Sequence, residues 1–226
     1  MLSSRVRWNL TAVLSIHVLR LAVGLLLVRF LFPLFMTVTP FIIEVTDRLV
    51  VLGLVWFAVN KYGGKLNDLG LSLDRLPINV VKGVAAGVVL LAVSIFSEKL
   101  YSTALFLTPT DHPLVAQAKN AATWRQLLAP LFLAGVLAPV TEEVLYRLFT
   151  FLPMKEKWGF WGGAIGSSLV FAMMHFNLYW LGEIIVVGVG LAFVYHWTGS
   201  LISGIVAHSV INTSKLLIIF FGVSFG

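Results

Sequence analysis

Long apolar stretches separated by short polar breaks run along almost the whole chain. Each stretch is close to the ~20 residues that a helix needs to cross the hydrocarbon core of a bilayer. The pattern predicts about seven spans, near residues 10–32, 41–60, 78–97, 125–152, 160–176, 179–197 and 200–221. We therefore expect an all-α fold, a polytopic bundle of about seven transmembrane helices.

The composition supports a membrane location. Of the 226 residues, 59% are hydrophobic and only 12% are charged, whereas about 25% are charged in a soluble domain. Such a chain has too little polar surface to cover a globule in water. There is no cysteine, which excludes disulfides, thiolate catalysis and cysteine-based zinc sites.

The net charge of +6 sets orientation rather than a nucleic-acid partner, because the basic residues lie in loops between apolar segments. One group of loops carries Arg5, Arg7, Lys61, Lys65, Arg75, Lys82, Lys155 and Lys157. These loops are predicted to be cytoplasmic together with the N-terminus. The loop at 98–124, with its irregular run at 108–113, is then extracytoplasmic, and an odd number of spans places the C-terminus outside. We expect no nucleic acid to bind.

The fourth predicted span contains charged residues that lipid does not favour. A charge at mid-bilayer costs about 2.5–3.5 kcal/mol on insertion scales, so each needs a reason. Glu143 and Arg147 are four residues apart and share a helix face, so they are predicted to form an ion pair. Glu142 is rotated by about 100° and cannot share that arginine equally. The spacing therefore predicts one structural carboxylate and one that is free for chemistry.

Two later spans carry histidines with a partner four residues away. Phe171 precedes His175 in the fifth span, where the ring can orient the imidazole, and His208 precedes Asn212 in the seventh. At a rise of about 1.5 Å per residue, Glu142, His175 and His208 all reach the middle or cytoplasmic half of the bilayer. We expect these groups to form one site.

Two kinds of chemistry fit this set. A free carboxylate beside an imidazole can take a proton from water, while Asn212 and His208 can donate hydrogen bonds to an oxyanion. Alternatively, Glu142, His175 and His208 supply three ligands for Zn²⁺ with one open position. We favour the site without a tightly bound metal, because Glu143 is expected to be committed to Arg147 and histidine-supporting carboxylates are scarce.

Other polar residues in the spans are assigned no role in the chemistry. His17 and His196 are expected to form hydrogen bonds to neighbouring helices. Glu183, and Arg20 with His17, are expected to be buried packing pairs or interfacial groups.

The motifs together resemble the CPBP family, the Abi-type or CAAX-processing and bacteriocin-processing intramembrane proteases. Glu142-Glu143-x-x-x-Arg147, Phe171-x-x-x-His175 and His208-x-x-x-Asn212 look like its three motifs in order. The resemblance runs from Trp124 to Ser214. We expect one membrane domain over 1–226, with spans of little family signal in 1–123 and catalytic core helices in 124–215. Leu148 departs from the glycine that commonly follows the arginine in the family.

The resemblance implies cleavage of membrane-associated peptides in the cell membrane of a bacterium or archaeon. Glu142 would be the base, supported by Glu143 and Arg147. His175 would help to activate water, while His208 and Asn212 would stabilise the oxyanion. Prenylated CAAX peptides, bacteriocin or pheromone precursors and other membrane proteins all stay open as substrates, as do the metal-dependent and glutamate mechanisms.

Two other functions compete with proteolysis. Buried glutamate and histidine also serve proton- or solute-coupled transporters, although no internal repeat is detectable and the motifs cluster in the C-terminal half. A non-catalytic immunity or scaffold protein is the second rival, and the presence of every motif residue argues against it.

Overall fold

The structure is a computed structural model that describes residues 6–111 and 113–223. Arg5 and His112, which enter the predictions of orientation and of the outer loop, lie outside the described residues. The described chain is helical and contains no strand, which confirms the all-α prediction. Its α-helices are α1 Leu10–Leu26, α2 Pro40–Lys61, α3 Leu76–Ala104, α4 Pro113–Lys119, α5 Trp124–Phe132, α6 Ala138–Glu142, α7 Leu152–Met173, α8 Leu178–Thr198 and α9 Leu201–Phe220.

Short segments of other helix types connect some of these helices. π-Helical segments occupy Leu27–Leu31, Leu133–Leu137 and Glu143–Phe151, and 3₁₀ turns occupy Phe32–Leu34 and Asn67–Leu69. Helical turns of one kind or another follow one another over the 50 residues from Trp124 to Met173. The non-helical backbone of Gly159 interrupts them.

Five helical stretches of the described chain are long and apolar enough to cross a membrane: Leu10–Leu34, Leu76–Ala104, Trp124–Met173, Leu178–Thr198 and Leu201–Phe220. The third stretch contains two of the predicted spans, because the chain turns within it. The second predicted span is α2, whose 22 residues include Glu44, Asp47 and Arg48. Because of these charges, α2 is not among the five apolar stretches.

The long stretch folds back on itself at Gly159. Its φ of 72° lies in the left-handed region that glycine adopts without steric cost. The two arms then run antiparallel: the rings of Phe151 and Phe160 are 6.1 Å apart, and those of Tyr146 and Phe171 are 4.7 Å apart. The turn therefore places the glutamate segment against the arm that ends beside His175.

Helices α3 and α9 pack closely through two glycines on one face of α3. A Cβ atom at Gly83 would lie 2.6 Å from Cβ of Val206, and one at Gly87 would lie 2.7 Å from Cβ of Val210. Small residues four apart allow such backbone approach between membrane helices. This packing fixes the helix that carries His208.

The exterior of the bundle is apolar, unlike that of a water-soluble protein. Large apolar side chains lie outside, such as Leu14 and Val89, which are 65% and 63% exposed. The interior holds Glu143 and Arg147 at 0% and 1% exposed. Lipid tails can solvate the apolar exterior but not the charged groups, so the bundle is arranged to enclose its polar site.

Candidate active site

The six predicted site residues come from three helical arms. Glu142 ends α6, while Glu143 and Arg147 lie in the π-helical segment that follows it. His175 lies two residues beyond the end of α7, and His208 and Asn212 are on α9. π-Helical segments inside α-helices are frequent at functional sites.

Glu143 is the buried centre of the site. Its Oε1 lies 3.0 Å from Nη1 of Arg147, which confirms the predicted ion pair. The same oxygen is 2.9 Å from Nδ1 of His208, and since a carboxylate only accepts, Nδ1 of the histidine carries the proton. The expectation that histidine-supporting carboxylates are scarce, because Glu143 is committed to Arg147, is wrong for His208, since α9 brings its imidazole within reach of the same carboxylate.

Glu142 faces the other side of the same imidazole. Its Oε2 lies 3.8 Å from Nε2 of His208, too far for a direct hydrogen bond and close enough for one water to contact both atoms. Its Oε1 lies 3.3 Å from Nη2 of Arg48. As the spacing predicts, Arg147 pairs with Glu143 and not with Glu142, but α2 places a different arginine beside Glu142.

Phe171 contacts both His175 and His208 with its ring. Its ring centroid is 4.9 Å from that of His175 and 6.1 Å from that of His208, in edge-on contact with both. Its backbone oxygen lies 2.9 Å from Nδ1 of His175. Because a carbonyl only accepts, Nδ1 of His175 is the protonated nitrogen and Nε2 can accept a proton. The predicted role of Phe171 in orienting His175 agrees with this geometry.

Asn212 is held by the helix that precedes the glutamates. Its Nδ2 donates to the carbonyl of Ala134 at 3.0 Å. In a π-helix each carbonyl accepts from the N–H five residues later, as the carbonyl of Leu133 does from Ala138. The corresponding donor for the carbonyl of Ala134 would be Pro139, which has no N–H. The amide of Asn212 satisfies that orphaned carbonyl with one N–H and keeps a second donor.

An ionic network from the first two helices borders the site. Arg20 on α1 donates from Nε and Nη2 to the two oxygens of Asp47 at 2.8 and 2.6 Å. Arg48 contacts Asp47 at 3.1 Å and Glu44 at 3.2 Å. Three charged residues within a predicted membrane span were the signal for this network.

His17, His196 and Glu183 follow the simple expectations, whereas Arg20 pairs with Asp47 and not with His17. His17 contacts the hydroxyl of Thr150 at 3.1 Å, and His196 contacts Nζ of Lys155 at 3.1 Å. Glu183 pairs with Lys215 at 2.5 Å. These contacts link neighbouring helices.

The residues proposed as zinc ligands do not fit a metal ion as they stand. Within the described ranges, no group of three His, Cys, Asp or Glu side chains is arranged to hold a metal. One oxygen of Glu142 also faces a guanidinium, whose charge opposes a second cation there. No step of the chemistry below is therefore assigned to a metal.

Fold and site together define an integral membrane protein with a buried Glu–His centre. Residues 124–214 match the family model described as type II CAAX prenyl endopeptidase, Rce1-like. This is the same segment that carries the motif resemblance, so the match supports the similarity of this segment to CAAX-type membrane endopeptidases. Comparisons with curated proteins and with solved structures gave no match.

Proposed function

We propose that the protein hydrolyses a peptide bond of a prenylated or otherwise membrane-associated peptide, using water activated by Glu142 and His175. The observation that carries this proposal is the pair formed by Oε2 of Glu142 and Nε2 of His208, 3.8 Å apart inside a membrane bundle. A water between these atoms would be held beside a carboxylate that can take its proton.

Each of the six residues has a part in the proposed reaction. Glu142 takes a proton from water with the help of His175, and the resulting hydroxide bonds to the carbonyl carbon of the substrate. With both ring nitrogens protonated, His208 donates from Nε2 to the oxyanion. Asn212 donates from its second N–H, and each donor is worth about 10²–10³ in rate. The C–N bond then breaks, and Glu142 returns the proton to the leaving amine. Glu143 and Arg147 hold His208 in place.

The substrate class is tested with purified protein reconstituted in liposomes. A farnesylated peptide ending in a CAAX sequence, the same peptide without the lipid, and a bacteriocin-type precursor are incubated with it, and products are identified by mass spectrometry. We expect cleavage of the lipidated peptide at one bond and far slower cleavage of its unlipidated form. Proton or solute flux across the same liposomes without any cleavage would favour the transporter instead.

The orientation predicts which loops reagents can reach. The natural chain has no cysteine, so single cysteines at Lys65, Lys157 and Asp111 can be introduced without background. With the basic loops in the cytoplasm, impermeant maleimide added to intact cells should label the variant at Asp111 and spare the other two. The reverse labelling pattern would overturn the orientation, and lysed cells should label all three.

The metal content gives an independent prediction. Since the three candidate ligands are not arranged to hold an ion, active purified protein should contain well under one zinc per chain and keep its activity in chelator. Elemental analysis and cleavage assays on the same sample measure this. One zinc per chain, lost together with activity and restored by added zinc, would contradict the glutamate mechanism.

A further inference from the structure

We propose that Arg48 is a positioning residue for Glu142, so that α1 and α2, which lie outside the matched segment, complete the active site. This inference rests on the proposed function, in which Glu142 is the base. The guanidinium holds one carboxylate oxygen and thereby presents the other to His208 and to the attacking water.

The contacts of Arg48 define the position of one oxygen. Its Nη2 lies 3.3 Å from Oε1 of Glu142, and the other oxygen of that carboxylate faces Nε2 of His208. The side chain of Arg48 is 14% exposed and that of Glu142 is 12% exposed, so little water competes with this contact. A planar guanidinium fixes the direction of its donors, which a lysine ammonium does not.

Arg48 does not need Glu142 for its own neutralisation. It already contacts Glu44 at 3.2 Å and Asp47 at 3.1 Å. Glu142 has no other cation as close among the described residues, since His208 is 3.8 Å away. The contact therefore matters more to the glutamate than to the arginine, as a positioning role requires.

The ionic network contacts the helical arm that carries Glu142 and Glu143 at two points. Arg20 holds Asp47 through two hydrogen bonds, and its Nη1 donates to the hydroxyl of Tyr146 at 3.2 Å. Arg48 reaches Glu142, one turn earlier on the same arm. Two guanidinium groups, one from α1 and one from α2, thus contact the helical turn between Glu142 and Tyr146. Displacement of either helix would therefore move Glu142, the proposed base.

The test compares Arg48→Gln and Arg48→Lys with wild type in the peptide cleavage assay. Misplacement of a catalytic group by about 1 Å can cost about a hundredfold in rate. We expect Arg48→Gln to lower kcat by about tenfold to a hundredfold with little change in KM, because in this proposal the arginine acts through Glu142 and not on the substrate. Arg48→Lys should recover part of the loss, since it restores the charge without the planar fork.

Glu98→Gln is the matched control. It removes one carboxylate from Lys215, which lies 3.0 Å away and keeps Glu183 at 2.5 Å. It therefore alters a part-buried ion pair between α3 and α9 that involves none of the six site residues. Its kcat should equal that of wild type. Melting temperatures and gel filtration of all variants identify any that fail to fold. If Arg48→Gln fails to fold, the kcat of Arg48→Lys alone tests the positioning role of Arg48.

The two possible failures are distinguishable. Wild-type kcat in folded Arg48→Gln, or in Arg48→Lys where that variant decides alone, would overturn the positioning role and leave the protease assignment intact. Equal loss in Arg48→Gln and Glu98→Gln would also overturn it, because any buried ion pair would then have the same effect. Absence of cleavage by wild type would instead overturn the proposed function on which this inference rests.

Discussion

Replacing Glu142 with glutamine is expected to lower the cleavage rate by about 10²–10⁴-fold while the protein remains folded. The amide cannot take the proton from water, whereas its shape preserves the packing. Arg48 would keep Glu44 and Asp47 as partners at 3.2 and 3.1 Å, so no buried charge is left unpaired. Initial rates with the lipidated peptide and melting temperatures in detergent measure the two effects.

Glu98→Gln is the control for this substitution as well, because it makes the same chemical change in another part-buried carboxylate, the one that pairs with Lys215. Its rate should stay within about twofold of wild type. Cleavage by purified Glu142→Gln at the wild-type rate would remove Glu142 from the role of base.

Glu143→Gln and Arg147→Ala are expected to damage stability as well as activity. The pair is 0% and 1% exposed, and breaking a buried ion pair costs about 3–5 kcal/mol because the remaining charge is uncompensated. Glu143→Gln also replaces the acceptor of the hydrogen bond from Nδ1 of His208, so the imidazole loses its charged partner. Thermal unfolding followed by fluorescence should show a large fall in melting temperature for both variants.

The double variant Glu143→Gln, Arg147→Met provides the control for this cost. It removes both charges, so no uncompensated charge remains and part of the stability should return. Its activity should stay low, because the carboxylate beside His208 is still missing. A melting temperature of Arg147→Ala equal to that of wild type would contradict the structural role of the pair.

The helices and one side of the site were predictable from local patterns. Span positions follow from hydropathy, which depends on each segment alone, and the pairing of Glu143 with Arg147 follows from helical spacing. The contact of Phe171 with His175 has the same origin. Each of these features needs no knowledge of how distant helices meet.

The contacts between distant helices could not be obtained in this way. The hydrogen bond from His208 to Glu143 joins residues 65 positions apart, and no local rule specifies which carboxylate the histidine meets. Arg48 reaches Glu142 only because α2 packs beside the helical arm that carries the two glutamates. Glu44, Asp47 and Arg48 lie inside a predicted span, and these charges are the sequence feature from which a polar environment of α2 could have been inferred.

Proline positions carried information that the motifs did not. Pro153 has no N–H to bond the carbonyl of Phe149 four residues earlier, and Nε1 of Trp8 donates to that carbonyl at 2.8 Å. The side-chain amide of Asn212 likewise donates to the carbonyl of Ala134, which Pro139 leaves without a backbone donor. In both cases a side chain from elsewhere in the chain satisfies a carbonyl that a proline leaves without its backbone donor, although the sequence alone does not name the donor.

Single-turnover cleavage of the lipidated peptide in H₂¹⁸O tests the central claim most directly. If Glu142 activates water for direct attack, the new carboxyl group of the first product molecules should carry one ¹⁸O atom, and Glu142→Gln should form no product on the same timescale. Unlabelled product from the first turnover would contradict the account, because the oxygen would then have come from a protein carboxylate.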